Sequence, residues 1–188
     1  MGRIRYLLNT VVTAGLAATV AMAVAAAPAR ADEVADLLRQ LADPETERWQ
    51  RVERQIIAAW SKSGSPAMDL LLQRGRDALG AGETEAAIEH LTALTDHAPD
   101  FAEGWNARAT AYFRAGRYGP AMADIAQALA LNPLHFGALS GLGTILEETG
   151  RHPQALEVYR AARAIHPHQP VLVRAVERLE RRVAGRDA

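Results

Sequence analysis

The sequence predicts an all-α chain, folded as a right-handed solenoid of antiparallel helix pairs. Three observations carry this. Gly82, Gly116 and Gly150 recur at an interval of 34 residues, and so do Pro99, Pro133 and Pro167. Three further columns keep the same step: Ala87, Ala121 and Ala155; Leu91, Ile125 and Tyr159; Leu94, Ala128 and Ala162. Aromatic residues make up only 5% of the chain, while Ala, Leu, Arg and Glu abound, which favours helix over sheet. A repeat of this length and content marks stacked helix-turn-helix units. Gly can take the left-handed conformation that ends the first helix of a pair. Pro cannot continue the second helix, so it forces the turn into the next unit. The Ala column lets the two helices approach, and the bulky column fills the space beside it.

Residues 1–31 read as an export signal. Arg3 and Arg5 give a basic start, Leu7 to Ala26 is uncharged and mostly apolar, and Ala29-Arg30-Ala31 supplies small residues for cleavage before Asp32. A periplasmic or secreted chain is expected. The alternative keeps residues 7–26 as a membrane anchor, since roughly 20 apolar residues span a bilayer. Only then would a membrane be a partner. Residues 32–188 hold 18 basic and 22 acidic residues, a net charge of −4. That balance gives no electrostatic reason to expect nucleic acid. The chain has no Cys, which excludes disulfides, thiolate metal sites and cysteine nucleophiles.

Residues 32–66 are helical but outside the repeat register. Val34, Leu37, Leu38 and Leu41 share one side of a short helix, which Asp43-Pro44 ends. Trp49, Val52, Ile56, Ile57 and Trp60 form a second stripe at helical spacing. The expected arrangement is a divergent helix pair capping the first repeat. The sharper alternative offers Trp49 and Trp60 to a partner, or to a second copy in a homo-oligomer.

Repeats are expected over 68–101, 102–135 and 136–169, with residues 169–188 as a capping helix and tail. The predicted helices are Ala67–Gly80 and Glu83–His97, Phe101–Ala115 and Arg117–Leu131, His135–Thr149 and Arg151–Ile165, then Pro170–Val183. In the last, Val173, Val176 and Leu179 are expected inside, with Arg174, Arg178, Arg181 and Arg182 in solvent.

The residues of each unit resemble the tetratricopeptide repeat (TPR) family. The middle unit carries Trp105, Ala109, Tyr112, Gly116, Tyr118, Ala121, Ile125, Ala128 and Pro133. The first carries Leu71, Gly75, Gly82, Ala87, Leu91, Leu94 and Pro99, and the third Leu139, Leu142, Gly143, Leu146, Gly150, Ala155, Tyr159, Ala162 and Pro167. Arg74 and Arg108 stand where the family usually has Leu, and Ala78 where it has Tyr, which predicts locally weaker packing. The resemblance implies a non-enzymatic scaffold or adaptor that holds a protein or peptide on its concave side, with no cofactor. A homo-oligomeric spacer is the alternative function, and a metal-dependent enzyme a remote third. Of the histidines, only His166-Pro167-His168 offers two possible ligands together. The sequence carries no catalytic motif.

In the family geometry the first helix of each pair lines the concave groove. That places Asp69, Leu72, Arg76 and Leu79 there from the first unit, and Glu103, Asn106, Thr110, Phe113 and Arg114 from the second. Gly137, Ser140, Thr144 and Glu147 follow from the third, with Arg174 and Arg178 from the end helix. Leu72, Leu79 and Phe113 are expected to supply apolar contact, and Arg76 and Arg114 to set ligand polarity. Some family members grip a terminal carboxylate with cations. The matching positions here are Leu72, Arg76, Ala107, Gly137 and Gly141, so that grip is expected to be missing.

Overall fold

The computed structural model describes residues 32–185, so the expected export signal and the last three residues lie outside the described residues. All regular structure described is helical. α1 covers residues 32–42. It is followed by α2 Trp49–Trp60, α3 Pro66–Ala81, α4 Thr84–His97, α5 Ala102–Arg114, α6 Tyr118–Leu131, α7 Phe136–Glu148, α8 His152–Ile165 and α9 Pro170–Ala184. From α3 onward every boundary lies within one residue of the expected one.

The repeating columns do what their chemistry suggests. Gly82, Gly116 and Gly150 have φ of +80°, +71° and +75°. At the first of these turns Glu83 N–H donates to the Ala78 carbonyl at 2.8 Å, and Gly82 N–H to that of Leu79 at 3.2 Å. The same pair of bonds closes α5 and α7. This is the Schellman arrangement, which needs a residue free of Cβ strain at the left-handed position. Ala87, Ala121 and Ala155 are fully buried, and Leu91, Ile125 and Tyr159 nearly so. A Cβ on Gly75 would come within 2.5 Å of the Leu91 side chain, and one on Gly143 within 2.7 Å of the Tyr159 ring. Those two glycines are therefore packing residues. Each helix from α3 to α9 packs on its chain neighbours, and α5 also touches α3 and α7. The first helices of the pairs thus form a continuous inner layer.

Three expectations need correction. Arg108 is not a weak point. Its guanidinium bonds Asp124 through two donors at 2.7 and 2.8 Å and reaches Thr95 Oγ1 on α4 at 2.7 Å. It also lies over the rings of Trp105 and Tyr112, at 4.9 and 5.7 Å. Arg74, by contrast, is simply exposed. In α9, Leu172 and Ala175 join Val176 and Leu179 in the core, while Val173 is only half-buried.

The largest departure is the seat of the N-terminal pair. α2 buries Val52 and Ile56, and α1 buries Leu41, in a cluster with Phe136 and Ile165 rather than with the first repeat. Trp60 stacks on His135 at 4.6 Å and meets Phe136 at 5.1 Å. Trp49 meets His166 at 5.4 Å and stacks on His168 at 5.8 Å. His168 Nε2 and the Asp43 carbonyl close the same contact at 2.8 Å. These partners all lie in the turns that lead from one repeat into the next, so α2 runs along that edge of the solenoid. The physical reason is visible on α3. Its outer side carries exposed Gln73, Arg74 and Asp77, with Leu70 the one large apolar side chain exposed on this helix. A stripe with two Trp finds no seat there. It finds one on the rings gathered at the later turns. Trp49 and Trp60 are thereby engaged within the chain, and each stays half-buried.

Candidate concave binding groove

The inner layer of α3, α5 and α7 presents a concave surface with two different ends. At the end where these helices begin, Glu103 is a buried hub, 8% exposed. It accepts from Arg76 Nη2 at 2.6 Å and from Asn106 Nδ2 at 3.3 Å, and it bonds His135 Nε2 at 2.8 Å. Ala138 N–H donates to His135 Nδ1 at 3.2 Å, so the ring is the tautomer with its proton on Nε2, donated to Glu103. This bond also caps α7. Arg76 Nη1 donates to Ser61 Oγ at the end of α2 at 3.0 Å. The hub therefore ties α2, α3, α5 and α7 together. Burial pushes the Glu103 carboxyl up, but the hydrogen bonds from His135 and Arg76, with the Arg76 charge, outweigh it, and the net shift is down. Glu103 is an ionised, satisfied group.

The expected groove residues divide accordingly. Leu72 and Leu79 are corrected: they are 0% and 7% exposed and pack in the core with Ala107 and Ala111 of α5, which lies over them. They offer nothing to a ligand. Arg76 and Asn106 line the groove but are engaged by Glu103. Glu147 and Arg178 neutralise each other through two bonds at 2.9 and 2.7 Å. Thr110 is exposed, and Phe113 is half-buried against Tyr118 at 5.7 Å. Arg114 and Arg174 are exposed, and neither pairs with an acid among the described residues. Arg114 donates to the Leu79 carbonyl at 2.8 Å.

Between α5 and α7 the groove has a hollow of about 150 Å³. It is lined by Asn106, Ala109, Thr110, Phe113, Ile125, Gly137, Gly141, Thr144 and Ile145. A larger, mostly apolar space of about 920 Å³ lies between the N-terminal pair and the repeat turns, bordered by Val34, Leu38, Trp60, Phe101, Leu134 and Ile165. Sequence reasoning missed the burial of His135 and His166, which are 3% and 0% exposed. The signal was present: ring side chains collect at the turns as Phe101, His135, Phe136, His166 and His168. Among the described residues no three His, Asp or Glu side chains converge to hold a metal, including around His166 and His168. Nor is any described helix long and apolar enough to cross a membrane.

His166 is expected to make the seat of α2 sensitive to acid. Its Nε2 lies 3.3 Å from Glu53 Oε1, yet neither ring nitrogen is aligned for a hydrogen bond. Burial lowers its pKa below the ordinary 6.5; Glu53 opposes this and His168 adds to it. Trp49 and Phe136 close the remaining sides. A depressed value means that protonation favours the unseated state. The stability contributed is complete above about 6.5 and is lost as the pH falls below it. Melting of the chain between about pH 7.5 and 5.5 is expected to show a drop that is reduced in His166→Phe. Equal drops in both proteins would contradict this.

The family model for the tetratricopeptide repeat matches residues 72–127 and 121–170. A TPR repeat-containing protein of Rhizobium etli is 33% identical over 156 residues, which is 83% of this chain and 76% of that protein. Among solved structures, the Sgt2 TPR domain from Aspergillus fumigatus aligns with a TM-score of 0.61 at 24% identity, covering 65% of this chain and 83% of that one. The second TPR domain of human RPAP3, solved with the HSP70 peptide SGPTIEEVD, aligns at 0.54 and 24% identity, over 57% of this chain and 90% of that one. At such identity the structures speak for the fold alone. Taken with the helix pairs and their Schellman turns, the model match over more than half of the sequence means that this chain belongs to the tetratricopeptide repeat family.

Proposed function

We propose that this protein is an exported, non-enzymatic scaffold that holds a segment of another protein in its concave groove. The observation that carries the reading is the open inner surface over α5 and α7, where exposed Thr110 and half-buried Phe113 and Thr144 surround a hollow that the chain's own packing leaves unfilled. Related domains solved with HSP70 and HSP90 peptides support a peptide-like occupant. The occupant we propose is not an acidic terminus of that kind. Of the positions where some family members grip a terminal carboxylate, only Arg76 is a cation here, and it is committed to Glu103. Export rests on residues 1–31, with their basic start, apolar run and Ala-Arg-Ala site.

A photo-crosslinking residue placed at Thr110 in living cells tests both parts. A discrete partner is expected from Thr110 but not from Glu89 on the outer layer. It should be lost in Phe113→Ala/Arg114→Glu, and the trapped chain should begin at Asp32. Equal trapping from Glu89, or a trapped chain that keeps residues 1–31, would refute the corresponding part.

A further inference from the structure

α7 contains three glycines, and a helix-interior Gly costs about 0.5–1 kcal/mol relative to Ala. Gly143 is required, because the Tyr159 ring occupies the place of its Cβ. Gly141 is not: the nearest atom to a Cβ there is Ile125 Cδ1 at 3.6 Å, an ordinary contact. Gly137 would meet the His135 ring at 3.4 Å, which is also tolerable. The fold does not need these two to be Gly. Both lie on the floor of the hollow of about 150 Å³. A Cβ on either would make that hollow shallower.

The lining of the hollow specifies what enters it. Its apolar lining is Ala109, Phe113, Ile125 and Ile145, and Asn106, Thr110 and Thr144 add polar atoms. A space of about 150 Å³ is large enough for a molecule the size of benzene. One aliphatic side chain is of that order. Asn106 donates to Glu103 through Nδ2 and keeps Oδ1 as an acceptor for a peptide N–H. One helical turn beyond Thr110, Arg114 carries a charge with no acidic partner among the described residues.

We propose that this hollow is a subsite for a single aliphatic side chain of an extended partner segment, and that an acidic residue of the same segment lies against Arg114. The inference rests on the groove reading above and names the chemistry of its ligand. Burial of one such side chain implies a roughly ten- to hundred-fold contribution to affinity.

The test is selection of a random peptide library, displayed on phage, on the full chain. Selected peptides are then synthesised and measured by fluorescence anisotropy. Peptides sharing Leu, Ile, Val or Met with a nearby Asp or Glu are expected. Gly141→Leu, which fills the hollow, should weaken them at least about ten-fold while leaving the melting temperature unchanged or higher. Gly141→Ala, a smaller change, should weaken them less and also raise melting. Arg114→Glu should weaken them most at low salt. Peptides that bind Gly141→Leu as well as the unaltered chain would overturn the subsite and leave the groove reading standing. Failure to select any peptide would overturn both.

Discussion

Asp124→Ala is expected to destabilise the chain by about 3–5 kcal/mol, the usual consequence of removing one partner of a buried ion pair. Arg108 and Asp124 are only 12% and 6% exposed at their side chains. The two hydrogen bonds that Arg108 donates to Asp124 outweigh burial and hold its pKa up; a guanidinium stays protonated even without that help, so removing Asp124 leaves a buried charge unpaired. The same guanidinium bonds Thr95 in the preceding repeat. Its disruption should therefore uncouple the first repeat from the second, and unfolding should lose its single transition. The third repeat supplies the control. The positions equivalent to Arg108 and Asp124 there are Leu142 and Val158. Arg108→Leu/Asp124→Val copies that apolar pair and should recover most of the loss, because buried pairs are often replaceable by apolar ones. Urea denaturation followed by circular dichroism measures both. A cost below about 1 kcal/mol for Asp124→Ala would mean that the pair is effectively solvated.

Glu103→Ala should cost about 3 kcal/mol, at the lower end of the same range because the Arg76 side chain is 34% exposed. Its effect should also be directional. Without Glu103, Arg76 loses the bond that fixes it beneath Ser61, and His135 loses the bond that orients it under Trp60. α2 should loosen before the repeats do. In a Trp105→Phe background the remaining tryptophans, Trp49 and Trp60, both report on α2. Their fluorescence transition is expected at lower urea than the circular dichroism transition. Coincident transitions would show that the hub does not hold α2.

The repeat architecture was legible because each unit solves one packing problem with the same residue types. Gly82, Gly116 and Gly150 share a backbone conformation, and Leu91, Ile125 and Tyr159 share a position against a small partner. Residues outside such columns were not legible in this way. Arg108 looked like a flaw until Asp124, which faces it in the same hairpin, was seen with it. The N-terminal pair shows the same limit: Trp49 and Trp60 demand an apolar seat but do not say where it is. The seat combines Phe136, Ile165, His135 and His166, which come from different turns and share no column. Within the groove, the register correctly brought Asn106, Thr110, Phe113 and Gly137 to one surface. It failed at Leu72 and Leu79, because a position on an inner helix does not reveal whether the next helix lies over it.

Both the open groove and its proposed ligand depend on where α2 runs. Along the turn edge it walls the groove at the Glu103 end and leaves Gly137 and Gly141 uncovered. Lying in the groove, it would fill the partner's place. Proton NOE spectroscopy of the chain with labelled Trp and His decides between these, with three Trp and six His to resolve. Cross-peaks from Trp60 to His135, whose rings are 4.6 Å apart, and from Trp49 to His166, at 5.4 Å, are the expected result. Cross-peaks from either indole to Thr110 or Thr144, or to α3 alone, would contradict it.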